Sequence, residues 1–169
     1  MTIQTTKIFI SIALVHAILW VLLPVLLLGN LPLDVIELFA WGHEWQLGYD
    51  KHPPLTPWLA EAGYILFGGS KVTSFALSQI CIVLTFYCVW KLAKEYLDAP
   101  LALCAVLMLE GIVYYNYTTV EFNPNVLQLP LWAAFTLAFY RALVEGRNQH
   151  LLYCAIFAGL AARLALERA

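Results

Sequence analysis

Charge is what this sequence has least of. Its 169 residues include 9 Lys and Arg and 11 Asp and Glu, or 12% charged, where a soluble domain carries roughly 25%. An ordinary water-soluble globule is excluded. Basic tracts are missing too, and the formal net charge is −2, so no nucleic acid partner is expected. The four cysteines, Cys81, Cys88, Cys104 and Cys154, form no CxxC pair and sit inside apolar blocks, which argues against a zinc knuckle or a thiol redox motif. Neither an internal repeat nor a pair of broken half-helices is present to suggest a transporter.

What the chain does have is apolar length, with 62% hydrophobic residues. Residues 8–28, 72–90 and 126–140 contain no charged side chain, and two weaker blocks are interrupted by Glu110 and Arg163. A helix needs about 20 apolar residues, each rising about 1.5 Å, to cross the hydrocarbon of a bilayer. Five spans are therefore expected, at about 8–28, 72–94, 100–117, 124–144 and 150–166, the last being the shortest and carrying a charge near its far end. The first block is longer than the apolar core of a signal peptide, and "LLLGNLP" has no small-x-small cleavage pattern, so it is read as a retained helix. Lys7, Lys91, Lys94, Arg141 and Arg147 flank one side of the spans, and only Lys51 and Lys71 the other. By the positive-inside rule the N-terminus is cytoplasmic, and the long loop 29–71 faces outward, into the periplasm or another outer compartment. Inside the spans, His16 is expected to make a helix–helix hydrogen bond, and Glu110 to face the bundle, a cavity or nearby water.

The outer loop carries most of the chemistry. From Asp34 to Leu47 there is no proline and one glycine, and at about 100° per residue Asp34, Glu37, Trp41 and Glu44 share one sector while Val35, Ile36, Phe39 and Leu47 take the other. The expected element is an interfacial helix with its apolar face on the membrane and its acids toward water. Asp34 followed by Glu37 also has the form of a capping box, so helix capping and catalysis both remain open for this pair. Trp41, Trp45 and Trp58 are ordinary at a membrane interface and also offer surfaces on which a sugar ring could stack. In "GYDKHPPL", residues 48–55, Pro53 and Pro54 fix φ and force the chain to turn. They also aim Lys51 and His52, and an ordered cation loses less entropy on meeting an anion. The bland alternative is a loop rim with solvated charges. A second interfacial helix is expected over "WLAEAGYILFG", ending at Gly68 and Gly69.

The order of these features resembles the amino-terminal part of the family 39 glycosyltransferases: an apolar span, Asp34 opening a loop helix, "GYDKHPPL", a Trp-bearing helix, then further spans with "EFNPNVLQLPLW" at 121–132. That family comprises integral-membrane GT-C enzymes, among them protein O-mannosyltransferases and the aminoarabinose transferase of lipid A. The resemblance implies an all-α, multi-pass GT-C-like bundle with interfacial helices in the first outer loop. It implies transfer of a sugar from a polyprenyl-phosphate donor to a lipid, glycan or protein acceptor at the outer face of the inner membrane.

By that resemblance Asp34 is the general base, with Glu37 beside it, and Lys51 and His52 meet the donor phosphate. Tyr49, Trp41, Glu121 and Asn123 complete the expected substrate contacts. The aminoarabinose branch has Glu-Lys where this chain has Lys51 and His52, so His52, with Asp50, becomes the candidate metal ligand and a divalent cation the one cofactor to consider. Relatives are several times longer, which raises the expectation of an incomplete bundle. A non-catalytic remnant or accessory subunit, and a small protein that binds or transports a lipid phosphate, are the competing readings.

Overall fold

The computed structural model describes residues 2–49 and 53–165. Among them the chain is entirely helical: α1 (Thr2–Leu27), α2 (Leu33–Gly42), α3 (Leu55–Phe67), α4 (Lys71–Tyr96), α5 (Ala99–Glu110), two short 3-10 turns (Val113–Tyr115 and Thr118–Val120), α6 (Pro124–Glu145) and α7 (Asn148–Ala165). The all-α bundle with two helices in the first long loop is as expected. Asp50, Lys51 and His52 lie outside the described residues.

Among the described residues, Ile3–Leu27, Lys71–Tyr96 and Pro124–Glu145 are long and apolar enough to cross a membrane, matching three of the expected spans. The α1 helix is apolar on all sides and leaves Leu14, Val15, Ile18, Leu19, Leu22 and Leu26 exposed, a surface suited to lipid. Over the expected span at 100–117 the helix is broken. Its helix stops at Glu110, and the following turns leave it at 87°, so α5 and that segment make at most one bent span. Residues 112–120 are β-branched, aromatic or Asn, types that lose rotamer freedom in a helix, and Asn116 Nδ2 donates to the Glu110 carbonyl at 2.9 Å. The segment expected at 150–166 is helical as α7, but its polar start and Arg163 keep it outside the set long and apolar enough to span.

Local sequence sets the helix ends. Ser70, Asp98 and Asn123 are N-caps whose side chains accept from Thr73 N, Leu101 N, and Asn125 N and Val126 N, satisfying donors that a first turn leaves free. Gly68 (φ 81°) and Gly146 (φ 66°) follow the ends of α3 and α6, where a side chain would be strained.

The core has two parts. Phe9, Ile82, Phe86, Trp90, Ala102 and Val106 join α1, α4 and α5, with Phe9 stacked on Trp90 at 4.4 Å. Val35, Leu38, Phe39, Ala60, Phe122, Val126 and Leu164 bring α2 and α3 onto the starts of α6 and the end of α7. His16 makes the expected interhelical bond, with Nδ1 2.9 and 3.0 Å from the two Glu110 carboxylate oxygens.

Register decides where the loop helices sit. Lys71 Nζ donates to the Leu28 and Gly29 carbonyls at 2.6 Å each, so α1 ends level with the start of α4. At the opposite end Arg141 grips Glu95 through Nε and Nη2, at 3.1 and 2.7 Å, and Tyr96 lies 4.6 Å from Tyr140. Thus α4 and α6 run in parallel, and Pro124 falls near the level of Ser78, seven residues or about 10 Å below the start of α4. The Ser78 hydroxyl donates to the Thr119 carbonyl, which fixes the 3-10 segment at that depth. Ser78 and Thr119 are both fully buried. Ser78→Ala therefore strands a buried carbonyl, and thermal unfolding in detergent should show a loss of about 1–3 kcal/mol; unchanged stability would mean that another donor replaces the hydroxyl.

Candidate active site

The loop helices pack over this recess. Val35, Leu38, Phe39 and Gly42 form the buried face of α2, so its apolar side lies on α3, Phe122 and Val126 rather than on lipid. Asp34, Glu37 and Trp41, expected on the water side, are half-buried, and Glu44 lies beyond the end of the helix. Pro32 is the N-cap and no side chain caps the helix, so the capping-box alternative is not realised. Asp34 lies instead in the first turn, where the helix dipole favours a negative charge. Asp34, Glu37, Trp41 and Glu121 are each engaged in contacts.

The expected helix to Leu47 is shorter than predicted. It ends at Gly42, whose hydrogen lies where a Cβ would stand 2.6 Å from the Pro57 carbonyl and 2.8 Å from Glu61 Cβ. This close approach joins α2 to α3. Just beyond, His43 Nδ1 lies 2.6 Å from Glu61 Oε2, and the His43 ring meets Tyr64 edge-on at 4.9 Å. Glu61 is 5% exposed, a buried acid that the sequence reading did not single out; the signal was a lone carboxylate in the apolar run "WLAEAGYILF".

Residues 45–49 fold into an aromatic loop around Gln46. The Gln46 N–H donates to the Tyr49 hydroxyl at 3.0 Å, and Trp58 Nε1 donates to the Gln46 carbonyl at 3.0 Å. Trp41 and Tyr49, both expected to bind substrate, stack at 5.8 Å and 16°. Trp45 faces Trp58 at 6.3 Å.

Below α2 a groove of about 600 Å³ runs along α1 past Trp20, Leu23, Pro24 and Leu27 to Pro32 and Glu121. Pro32 is two residues ahead of Asp34, so the groove leads to the first turn of α2. Its walls are apolar and its far end carries a carboxylate, the usual make-up of a small-molecule cleft. Asn123, two residues past Glu121, is occupied in a way the sequence reading did not assign: its Oδ1 caps α6. A second cleft of about 410 Å³ lies between α4 and α6, beside Tyr114, Asn125, Gln128 and Trp132.

The cationic side of the expected site, Lys51 and His52, and the metal candidate Asp50 are outside the described residues. Among the described residues no three His, Cys, Asp or Glu side chains gather to hold a metal ion. The structure thus brings Asp34 and Glu37 onto one helix flank, Trp41 against Tyr49, and Glu121 to the end of a groove that begins beside α1.

A family model described as dolichyl-phosphate-mannose-protein mannosyltransferase matches residues 51–164. No curated protein and no solved structure matches the chain. The matched region starts at Lys51 and runs through α3 to α7, so it includes Glu121 and Asn123 and follows Asp34, Glu37, Trp41 and Tyr49 in sequence. More than half of the chain is covered, its spans and loop helices fit an all-helical membrane enzyme, and the chain belongs to the dolichyl-phosphate-mannose-protein mannosyltransferase family of GT-C membrane glycosyltransferases.

Proposed function

We propose that this chain takes part in transfer of a sugar from a polyprenyl-phosphate donor to an acceptor hydroxyl on the loop side of the membrane, which by the distribution of Lys and Arg is the outer face of a bacterial inner membrane. Asp34 is the general base. Its carboxylate takes the acceptor hydroxyl proton as the acceptor oxygen attacks the anomeric carbon. The bond from that carbon to the phosphate oxygen breaks, polyprenyl phosphate leaves, and configuration inverts, so no covalent sugar–enzyme intermediate is needed. Phosphate is already a good leaving group and calls for positive charge, the task of Lys51 and His52. Glu37, Trp41, Tyr49, Glu121 and Asn123 are assigned to the substrate-binding surroundings, and a divalent cation at Asp50 and His52 is an additional element of the proposal.

The observation that carries this reading is the groove of about 600 Å³ that passes from the lipid-exposed flank of α1 to Glu121 and to Pro32, the N-cap of the helix whose first turn holds Asp34. It offers an apolar path for an isoprenoid chain toward a polar end. The test is to incubate the membrane-embedded protein with polyprenyl-phosphate [¹⁴C]mannose and cell-envelope extract. Label should pass from the carrier to an envelope acceptor. Carrier bound but never discharged would favour a lipid-phosphate-binding protein, and absence of both binding and transfer would favour an accessory subunit; either result overturns the catalytic reading.

A further inference from the structure

The aromatic loop beyond α2 carries a feature that transfer chemistry alone does not require. Among the described residues Trp45 is the one non-glycine with positive φ, at 49°. Bulky side chains avoid this region, at a cost of order 1–3 kcal/mol. Trp45 is nevertheless 51% exposed, so burial of its indole does not explain why the strain is tolerated. Its neighbour Trp58 is held from behind, with Nε1 on the Gln46 carbonyl, and the two rings are tilted by 32°. Glu44 Oε2 accepts from Gln46 Nε2 at 2.6 Å on the same loop. An exposed indole face beside a planar carboxylate and a planar amide suits a pyranose, whose axial C–H face rests on the π-electrons while its hydroxyls bond to the polar rim.

We infer that Trp45, backed by Trp58, is a stacking subsite for a pyranose ring of a glycan acceptor, one or more residues away from the reacting sugar. The inference rests on Asp34 being the base. From Asp34 to Gly42 the α2 axis advances about 12 Å, and Trp45 is at that far end, its N–H donating to the Gly42 carbonyl at 3.2 Å. The donor sugar must sit within bonding distance of the hydroxyl at Asp34, so it cannot also rest on Trp45. An oligosaccharide acceptor extended along α2 reaches both. A purely membrane-anchoring Trp is the competing role, and the polar companions Glu44 and Gln46 speak against it.

The experiment reads binding rather than transfer, so its failure is separable from failure of the catalytic reading. Full-chain protein in detergent is titrated with mannotriose, maltotriose and chitotriose, and with the matching monosaccharides, while tryptophan fluorescence and saturation-transfer NMR are followed. At least one trisaccharide should bind and its monosaccharide should bind at least tenfold more weakly. Trp45→Ala should weaken the trisaccharide at least tenfold, and Trp45→Phe should restore it to within about threefold. Circular dichroism of the variants should match wild type. No trisaccharide binding, or equal binding by Trp45→Ala, overturns the inference. So does a Trp45→Ala variant that loses affinity for phosphatidylglycerol vesicles while keeping that for the sugar, which would mark an anchor.

Discussion

Asp34→Asn is expected to reduce sugar transfer at least about 100-fold while carrier affinity stays within about threefold. General-base catalysis by a positioned side chain is worth roughly 10²–10⁴ in rate, and the amide keeps the size and hydrogen-bonding reach of the carboxylate while losing its ability to accept the proton. Asp34 is well placed for such a test because it is not the N-cap of its helix, a position held by Pro32. Removing a negative charge from the first turn costs only a few tenths of a kcal/mol to about 1 kcal/mol of helix stability, too little to mimic the loss of a base. Transfer by Asp34→Asn at more than about a tenth of the wild-type rate, measured with labelled polyprenyl-phosphate sugar under saturating donor, would remove Asp34 from the mechanism. Glu37, three residues on and on the same flank, would then be the next carboxylate to test.

Gly42→Val is expected to do comparable damage by a different route. Any side chain at this position begins with a Cβ 2.6 Å from a backbone oxygen, that of Pro57. That atom moves only if α2 and α3 separate. Alanine gains at most about 1 kcal/mol of helix propensity over glycine, against about 1–3 kcal/mol for forcing extra volume into a packed contact; Gly42→Ala should be mildly destabilising, and valine, with two more carbons, clearly so. Separating the pair also pulls His43 from Glu61, leaving a buried carboxylate without its 2.6 Å partner. Faster proteolysis within residues 43–49, a lower unfolding temperature and at least a tenfold loss of transfer are expected together. A Gly42→Val protein with wild-type protease resistance would show that the α2–α3 contact is looser than the geometry indicates.

How far the sequence foretold this architecture can be judged element by element. Uncharged blocks of 15 to 21 residues identify α1, α4 and α6 directly, because the cost of unpaired backbone groups in lipid leaves few alternatives to a helix. His16 was also legible, since a lone polar group in such a block needs a partner. The end of α2 was not. Nothing in "AWGHEWQL" forbids another turn of helix; the stop comes from Gly42 meeting Pro57 and from Gln46 being held by both Tyr49 and Trp58, contacts made across more of the chain than a local pattern records. Likewise Val35 and Phe39 of the expected apolar face of α2 are buried, but Ile36 and Leu47 are exposed, and the neighbour assigned to that face was wrong. A buried apolar stripe looks the same whether it rests on lipid or on Phe122 and Val126. In the candidate site, residue types and their helix flank were readable, whereas Glu61 and the capping duty of Asn123 depend on tertiary placement.

The parallel register of α4 and α6 has one more consequence. Because the 3-10 segment is tied to Ser78, about 10 Å along α4 from Lys71, a headgroup that reaches Glu121 in a bilayer whose surface lies level with Lys71 must dip beneath those of neighbouring lipids. The depth of that dip grows with bilayer thickness. Turnover should consequently fall as the host membrane is rebuilt from lipids with longer acyl tails, even when the chemistry and the ligand concentrations are unaltered.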